Sequence, residues 1–127
     1  MRKTIALVAL TLFPAALAQM RTEAGYCYAL KAGQRPVASS KTIPCQVSYD
    51  PKDWGKYVMT WKGAKHVVRG STQNDNLLLN NQVTQRFWLH KDDFQPVPSE
   101  YVEDATEGHM VIQCFATTRE TICYALP

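Results

Sequence analysis

The sequence predicts a single all-β domain, a small antiparallel barrel or sandwich of seven to eight short strands with two disulfides. Short segments in which apolar and polar residues alternate recur along the chain. Turn sequences rich in Gly, Pro and Asn separate these segments. Within 127 residues there are also four cysteines, an even number that fits a disulfide framework: Cys27, Cys45, Cys114 and Cys123.

The N-terminus has the pattern of a secretory signal peptide. Arg2 and Lys3 precede an apolar run over residues 4–13, and Ala16-Leu17-Ala18 fits the small-x-small rule for cleavage. That run is shorter than the roughly 20 residues that a membrane-spanning helix needs. We therefore expect residues 1–18 to be removed and the protein to be exported, either to a periplasm or out of the cell, with no membrane span left.

The predicted mature chain, residues 19–127, is one β domain with nearly balanced charge. Without Arg2 and Lys3 it has 12 basic and 11 acidic residues. Binding to nucleic acid by phosphate neutralisation needs a basic surplus, so no nucleic-acid partner is expected. The cysteines lack the close C-x2-C spacing of zinc sites, and no nucleotide-binding or metalloprotease motif is present. We expect no metal and no cofactor.

The strands follow one another with short connections. The predicted set comprises 25–31, 43–49, a central hairpin over 56–69, a short strand at 77–79, 82–90 and a final hairpin from 109–116 and 120–126. Turns are predicted at 50–55, from its composition, and at Asn80-Asn81. In the central hairpin Gly63 can take the positive φ that a tight turn requires.

Alternation assigns side chains to faces. Tyr57, Met59 and Trp61 share one face of the central hairpin, and we assign Trp61 to the core. The strand at 82–90 has one side with an apolar pattern and one with a mixed pattern: Val83, Phe87 and Leu89 against Thr84, Arg86, Trp88 and His90.

The final hairpin indicates the disulfide pairing. If its turn is Thr118-Arg119, Cys114 lies directly opposite Cys123, at a Cβ separation of about 4.5–5.5 Å that a disulfide can close. This favours Cys114–Cys123 and Cys27–Cys45 among the three pairings that four cysteines allow. On a chain-entropy estimate each bridge stabilises the fold by about 3 kcal/mol.

The longest irregular stretch, residues 91–108, is acidic. Ser99 can cap one or two helical turns within it. Long loops often carry function, so the stretch is a candidate contact for a protein partner, and no calcium-loop motif is present. The candidate binding residues are Glu100, Glu103, Asp104 and Glu107, together with Trp54, which we expect to be exposed in a turn beside Gly55. By contrast, residues 52–69 are basic and could meet an anionic partner.

No catalytic constellation is evident, and we assign no catalytic residue. The residue types of a small secreted nuclease are present in His66, Arg69, Glu100 and His109, but no local motif orders them. Their convergence in one cleft would favour an enzyme. The serine-hydrolase motif G-x-S-x-G is absent.

Two resemblances concern the fold. The early cysteine pair, the Trp61-x-Gly63 hairpin and the final Cys114-x8-Cys123-Tyr124 segment resemble small exported four-cysteine β-proteins of unknown function in bacteria. Size, export and the strand Phe87-Trp88-Leu89 are similar to periplasmic inhibitors of c-type lysozyme, small antiparallel barrels, although the Ser-Gly-x-x-Tyr inhibitory loop of that family is missing. We expect an exported, non-enzymatic binding or envelope-associated protein; the alternatives are a small secreted hydrolase, nuclease first, or a protein similar to the lysozyme inhibitors.

Overall fold

The computed structural model describes residues 20–102 and 110–127. The strands in these ranges form one closed sheet. Its eight strands are β1 (Arg21–Lys31), β2 (Ile43–Asp50), β3 (Asp53–Trp61), β4 (Ala64–Gly70), β5 (Leu77–Leu79), β6 (Gln82–His90), β7 (Val111–Ala116) and β8 (Glu120–Ala125). Each strand pairs antiparallel with the next, and β8 pairs with β1 from Tyr26↔Ala125 to Lys31↔Glu120. The predicted all-β class is confirmed, in its barrel form.

Two tight turns set the register of the middle of the barrel. Lys62 and Gly63 have φ values of 51° and 76°, and Asn80 and Asn81 have 50° and 67°. Two successive positive φ values produce a turn whose twist matches that of paired strands. Both predicted turns are confirmed, and they place the β3–β4 and β5–β6 connections at the same end of the barrel, which we call the turn end.

The barrel interior is a continuous apolar core. It contains side chains from seven of the eight strands, all nearly or fully buried: Cys27, Cys45, Val47, Tyr57, Met59, Val68, Leu79, Phe115, Ile122 and Tyr124. Trp61 is partly buried and packs against this core. The predicted inner face of the central hairpin is therefore confirmed.

The two disulfides lie on opposite sides of the sheet. Cys27–Cys45 belongs to the interior core, with a Cα–Cα distance of 5.9 Å. Cys114–Cys123 joins directly opposed residues of β7 and β8, with a Cα–Cα distance of 4.1 Å, and lies outside the barrel. The predicted pairing and the Thr118-Arg119 turn are both confirmed. Thr117 closes that turn by donating its backbone N–H to the Glu120 carbonyl at 2.8 Å.

A second core covers the outer side of β6, β7 and β8. It comprises Tyr28, Leu89, Ile112, Cys114, Cys123 and Ala125, with Leu30, Phe87 and Phe94 packed against it. The connection between β1 and β2 lies over this side, because Pro36 is fully buried and the Arg35 guanidinium sits 5.0 Å from the Phe87 ring centre. Phe94, after β6, covers another part. These segments bury side chains that would otherwise face water.

Three sequence predictions need correction. β1 begins at Arg21 rather than at Gly25, because residues 21–24 pair with β2. β3 begins at Asp53, so Trp54 lies in a strand; Asp50 pairs with Asp53 around a bulge, and the turn is confined to Pro51-Lys52. β7 begins at Val111.

The two faces predicted for β6 are confirmed, but the face with the apolar pattern is the outer one. Thr84 pairs with Leu77 and Arg86 pairs with Phe115, which point inward, so Thr84 is buried while Val83 is exposed. Leu89 is buried by the covering segments instead of by the interior core. Of the helical turns predicted after Ser99, a 3-10 turn over Ser99–Tyr101 is present; residues 103–109 lie outside the described part of the chain.

Candidate binding surface

The predicted acidic site lies largely outside the described residues. Glu103, Asp104 and Glu107 fall in 103–109, of which the structure gives no description. Glu100 is exposed in the 3-10 turn that follows β6. Trp54 lies in β3, where its backbone is described and its side chain is not. Partner binding at the acidic stretch thus stays a prediction.

The residues proposed for a nuclease do not converge where they are described. His66 lies near the β3–β4 turn at the turn end, whereas Glu100 follows β6, which starts at the turn end and runs away from it. Arg69 points outward from β4, on the other side of the sheet from His66 and Val68. His109 lies outside the described range. The three described residues therefore form no common site.

A polar cluster sits at the turn end of the barrel. The Trp61 and His66 rings stack with centres 4.0 Å apart and planes inclined by 14°. The backbone N–H of Val67 donates to Asn80 Oδ1 at 2.9 Å, which fixes the orientation of that amide. Asn80 Nδ2 therefore donates to His66 Nδ1 at 3.2 Å and reaches Glu120 Oε2 at 3.4 Å. The proton of neutral His66 must then sit on Nε2.

The position of His66 favours its uncharged form. Burial lowers the pKa of His66 below the usual value for histidine, and the carboxylate of Glu120 opposes that shift without reversing it. A neutral imidazole stacked on an indole is a packing element. Among the described residues, no three His, Cys, Asp or Glu side chains are grouped so that they could hold a metal ion.

Two pairs of polar side chains inside the barrel are hydrogen-bonded to each other. Gln113 Nε2 donates to the Tyr124 hydroxyl at 2.6 Å, and Tyr49 donates its hydroxyl to Glu23 at 2.8 Å. Burial raises the pKa of Tyr124 well above its ordinary value. The pKa of Tyr49 is also raised, first by burial and then by the neighbouring carboxylate of Glu23. Both tyrosines therefore stay protonated near neutral pH and tie strands together.

The outer side of the β3–β4 hairpin is basic. Because Met59 pairs with His66 on the inner side, the outward residues are the alternate ones. They place cations at Lys56, Lys65 and Arg69, with Lys62 in the turn, and all four side chains are exposed. We call these four residues the basic face. None of them forms an ion pair with a carboxylate in the described part of the chain, and no outward position of β3, β4, β5 or β6 is Asp or Glu.

Two cations of the basic face follow directly on the last paired residues of β3 and β4. Continuing the register that pairs Tyr57 with Val68 sets Lys56 opposite Arg69. Like charges at directly opposed positions destabilise a sheet. Arg69 is held by neutral oxygens, donating from Nη2 to Asn81 Oδ1 at 2.9 Å and from Nη1 to the Gly70 carbonyl at 3.3 Å. Its full positive charge is thus left available to a partner.

A shallow open groove of about 460 Å³ adjoins the basic face on the outer side of β1, β2 and β3. Its floor is strand backbone around Gly25, Cys45 and Trp61. Its side-chain walls combine apolar and polar groups: Ala24, Tyr26, Pro44, Gln46, Thr60 and Lys62. Tyr26 is 48% exposed. Lys62 belongs both to this groove and to the basic face, so the two features form one surface.

Sequence reasoning noticed the basic charge of residues 52–69 but missed which apolar residues accompany it. Val67 and Val83 are 37% and 58% exposed, and Leu78 between them is partly exposed. Alternation marks Val67 as outward, since Val68 is inward, but it cannot show that nothing covers it. Tyr26 was missed because the first strand was predicted without an assignment of its side chains to the two faces.

Comparison with known proteins adds no relative: no family model, no curated protein and no solved structure matches the chain. Within the described residues, no helix has the length and apolar character needed to cross a membrane.

Proposed function

We propose that this protein is an exported, non-enzymatic binding protein that uses the basic face to bind an anionic partner. The observation that carries the proposal is the placing of Lys56 and Arg69 on the outer side of β3 and β4, one position beyond the Tyr57–Val68 pair, with no described carboxylate to neutralise them. Such a pair costs stability in the free protein. An anionic partner would remove that cost on binding.

The surrounding structure supports the same conclusion. The scaffold is a closed sheet with two disulfides, an interior core and a second core outside β6, β7 and β8. Such rigid elements hold surface side chains in fixed positions. The two disulfides are consistent with an oxidising compartment such as that of exported proteins. His66, Arg69 and Glu100 do not form a common cleft, so the described chain offers no support for the hydrolase alternative.

The test is a pull-down from envelope and secreted fractions with the oxidised mature protein as bait. Three variants are compared with the wild type. K56Q/K65Q/R69Q neutralises the basic face, and K41Q/K52Q/R119Q removes three exposed cations elsewhere, so its net charge is the same. The third replaces Glu100, Glu103, Asp104 and Glu107 with Gln or Asn and examines the acidic stretch.

We expect a partner that the wild type and K41Q/K52Q/R119Q retain and K56Q/K65Q/R69Q loses. Loss only in the acidic-stretch variant would move the binding site to residues 100–107. Turnover of RNA, glycan or peptide by the pure wild-type protein, without any retained partner, would contradict the proposal and favour the secreted hydrolase.

A further inference from the structure

We propose that the partner of the basic face is the anionic lipid surface of a membrane, on which the protein docks peripherally through an apolar band bordered by cations. This inference rests on the proposed function and specifies the chemistry of the partner. It depends on the outward side chains of β3, β4, β5 and β6.

The apolar band consists of two adjoining pairs at successive outward levels. Val58 lies directly opposite Val67, and Leu78 lies directly opposite Val83; Leu78 is itself opposite Arg69, so Val67 and Leu78 are diagonal neighbours across β4 and β5. Val67 and Val83 are 37% and 58% exposed. These four aliphatic side chains form a stepped band on the outer side of the barrel. Exposed apolar side chains at adjoining positions mark an interaction surface more than scattered ones do.

Cations stand on both sides of the Val58–Val67 pair, and Arg69 lies directly opposite Leu78. Along β4 the outward order is Lys65, Val67, Arg69, so each charge lies about 7 Å along the strand from the valine between them. On β3, Lys56 lies on the Arg69 side of the band and Lys62 on the Lys65 side. Lysine and arginine stems can lie along an apolar surface while their charged ends reach toward phosphate groups.

This combination fits a lipid surface better than other anions. Apolar side chains enter the boundary between headgroups and acyl chains while cations contact the headgroup phosphates. Single-stranded nucleic acid would call for exposed aromatic side chains on which bases stack, and the outward positions of β4 and β5 have none. Protein interfaces concentrate their affinity in aromatic and Arg anchors, whereas here the centre is aliphatic and three of the four cations are lysines.

The electrostatic attraction between the protein and an anionic membrane depends on the basic face. The predicted mature chain has only one more basic than acidic residue. Because charges in physiological salt are screened over about 8 Å, a membrane responds to the face that it touches and not to the total charge of the protein. Vesicle binding should therefore follow the basic face, and it should be weakened by salt.

The experiment measures binding of the oxidised mature protein to phosphatidylcholine vesicles with and without phosphatidylglycerol. The variants are K56Q/K65Q/R69Q, its charge-matched control K41Q/K52Q/R119Q, and V67S/V83S. A parallel titration uses soluble glycerol phosphate, the headgroup without acyl chains. Thermal unfolding of each variant verifies that it is folded.

We expect binding only when phosphatidylglycerol is present. At about fivefold per cation, K56Q/K65Q/R69Q should weaken it about 100-fold, with the matched control close to wild type. V67S/V83S should weaken it about tenfold, because two side chains no longer enter the apolar layer. Binding of glycerol phosphate that equals vesicle binding, with V67S/V83S unaffected, would overturn the lipid inference in favour of a free phosphate ligand.

Two further outcomes separate this inference from the proposed function. Absence of vesicle binding, with an envelope partner still lost in K56Q/K65Q/R69Q, overturns the lipid inference and leaves the proposed function standing. Absence of both vesicle binding and any retained partner overturns both.

Discussion

The outer side of this barrel has two regions in which apolar side chains point outward. In one region other segments cover these side chains, and in the other they do not. On β6, β7 and β8 the outward side chains are buried under the β1–β2 connection and Phe94, around the Cys114–Cys123 bridge. On β4 the outward side chains Lys65, Val67 and Arg69 are exposed, so that two cations flank a valine, and Val58 on β3 and Leu78 on β5 are partly exposed. An outward apolar residue is therefore structural in one region and available to a partner in the other. Coverage by neighbouring segments makes that difference.

The largest expected effect compares Leu89 with Val83, two outward residues of the same strand. Leu89 is 1% exposed in the second core, so Leu89→Ala should lower the free energy of unfolding by about 3 kcal/mol. Val83→Ala should change it by less than about 0.5 kcal/mol, because Val83 is 58% exposed. Urea unfolding of the oxidised proteins measures both. Equal losses would show that the uncovered region is also packed, and would remove the contrast between the regions.

A smaller effect concerns the cross-strand pair on the uncovered region. Lys56→Glu puts a carboxylate opposite Arg69 and should raise the free energy of unfolding by about 0.5 kcal/mol. The same change should weaken binding to phosphatidylglycerol vesicles, so stability and binding move in opposite directions. Lys52→Glu, in an exposed turn, is the control and should leave stability nearly unchanged. A loss of stability in Lys56→Glu would mean that Lys56 has a structural role and is not held for a partner.

The smallest effect is at the turn end, where neither region is involved. NMR titration should give His66 a pKa below the ordinary value of about 6.5, and Glu120→Gln should lower it further by removing the carboxylate that opposes the shift. Because the unfolded chain binds this proton more readily, the contribution of His66 to stability is present above about pH 6.5 and is lost as pH falls from there through the lower pKa of the folded state. A His66 pKa above 6.5 would contradict the packing described for the cluster.

Local chemistry explains what could be predicted from the sequence. Gly63 and Asn80-Asn81 require the positive φ values that they adopt, and the short separation of Cys114 and Cys123 around one turn leaves a single register that opposes them. The strands themselves follow from alternation. These features depend on a few consecutive residues, so they needed no knowledge of the rest of the chain.

What could not be predicted depends on contacts between distant segments. Nothing near Leu89 shows that Pro36 and Phe94 belong to segments that cover that side of the barrel, and nothing near Val83 shows that its side stays bare. The turn-forming residues Asp50-Pro51 and Gly55 predict a turn that includes Trp54. Pairing with β2 instead extends β3 back to Asp53. The candidate site was found only in part for the same reason: basic residues are visible in the sequence, but their common face depends on register.

Closure of the ring through β1 and β8 also imposes an order on folding. β1 finds its second partner only in β8, from Glu120 to Ala125. The β1–β2 and β3–β4 hairpins can form from neighbouring residues, but β1 keeps an unpaired edge until β8 joins it. Such an edge can pair with another chain. Newly made molecules are thus most prone to aggregate just before the last strand arrives, and a deletion of even those few residues would leave that state permanent.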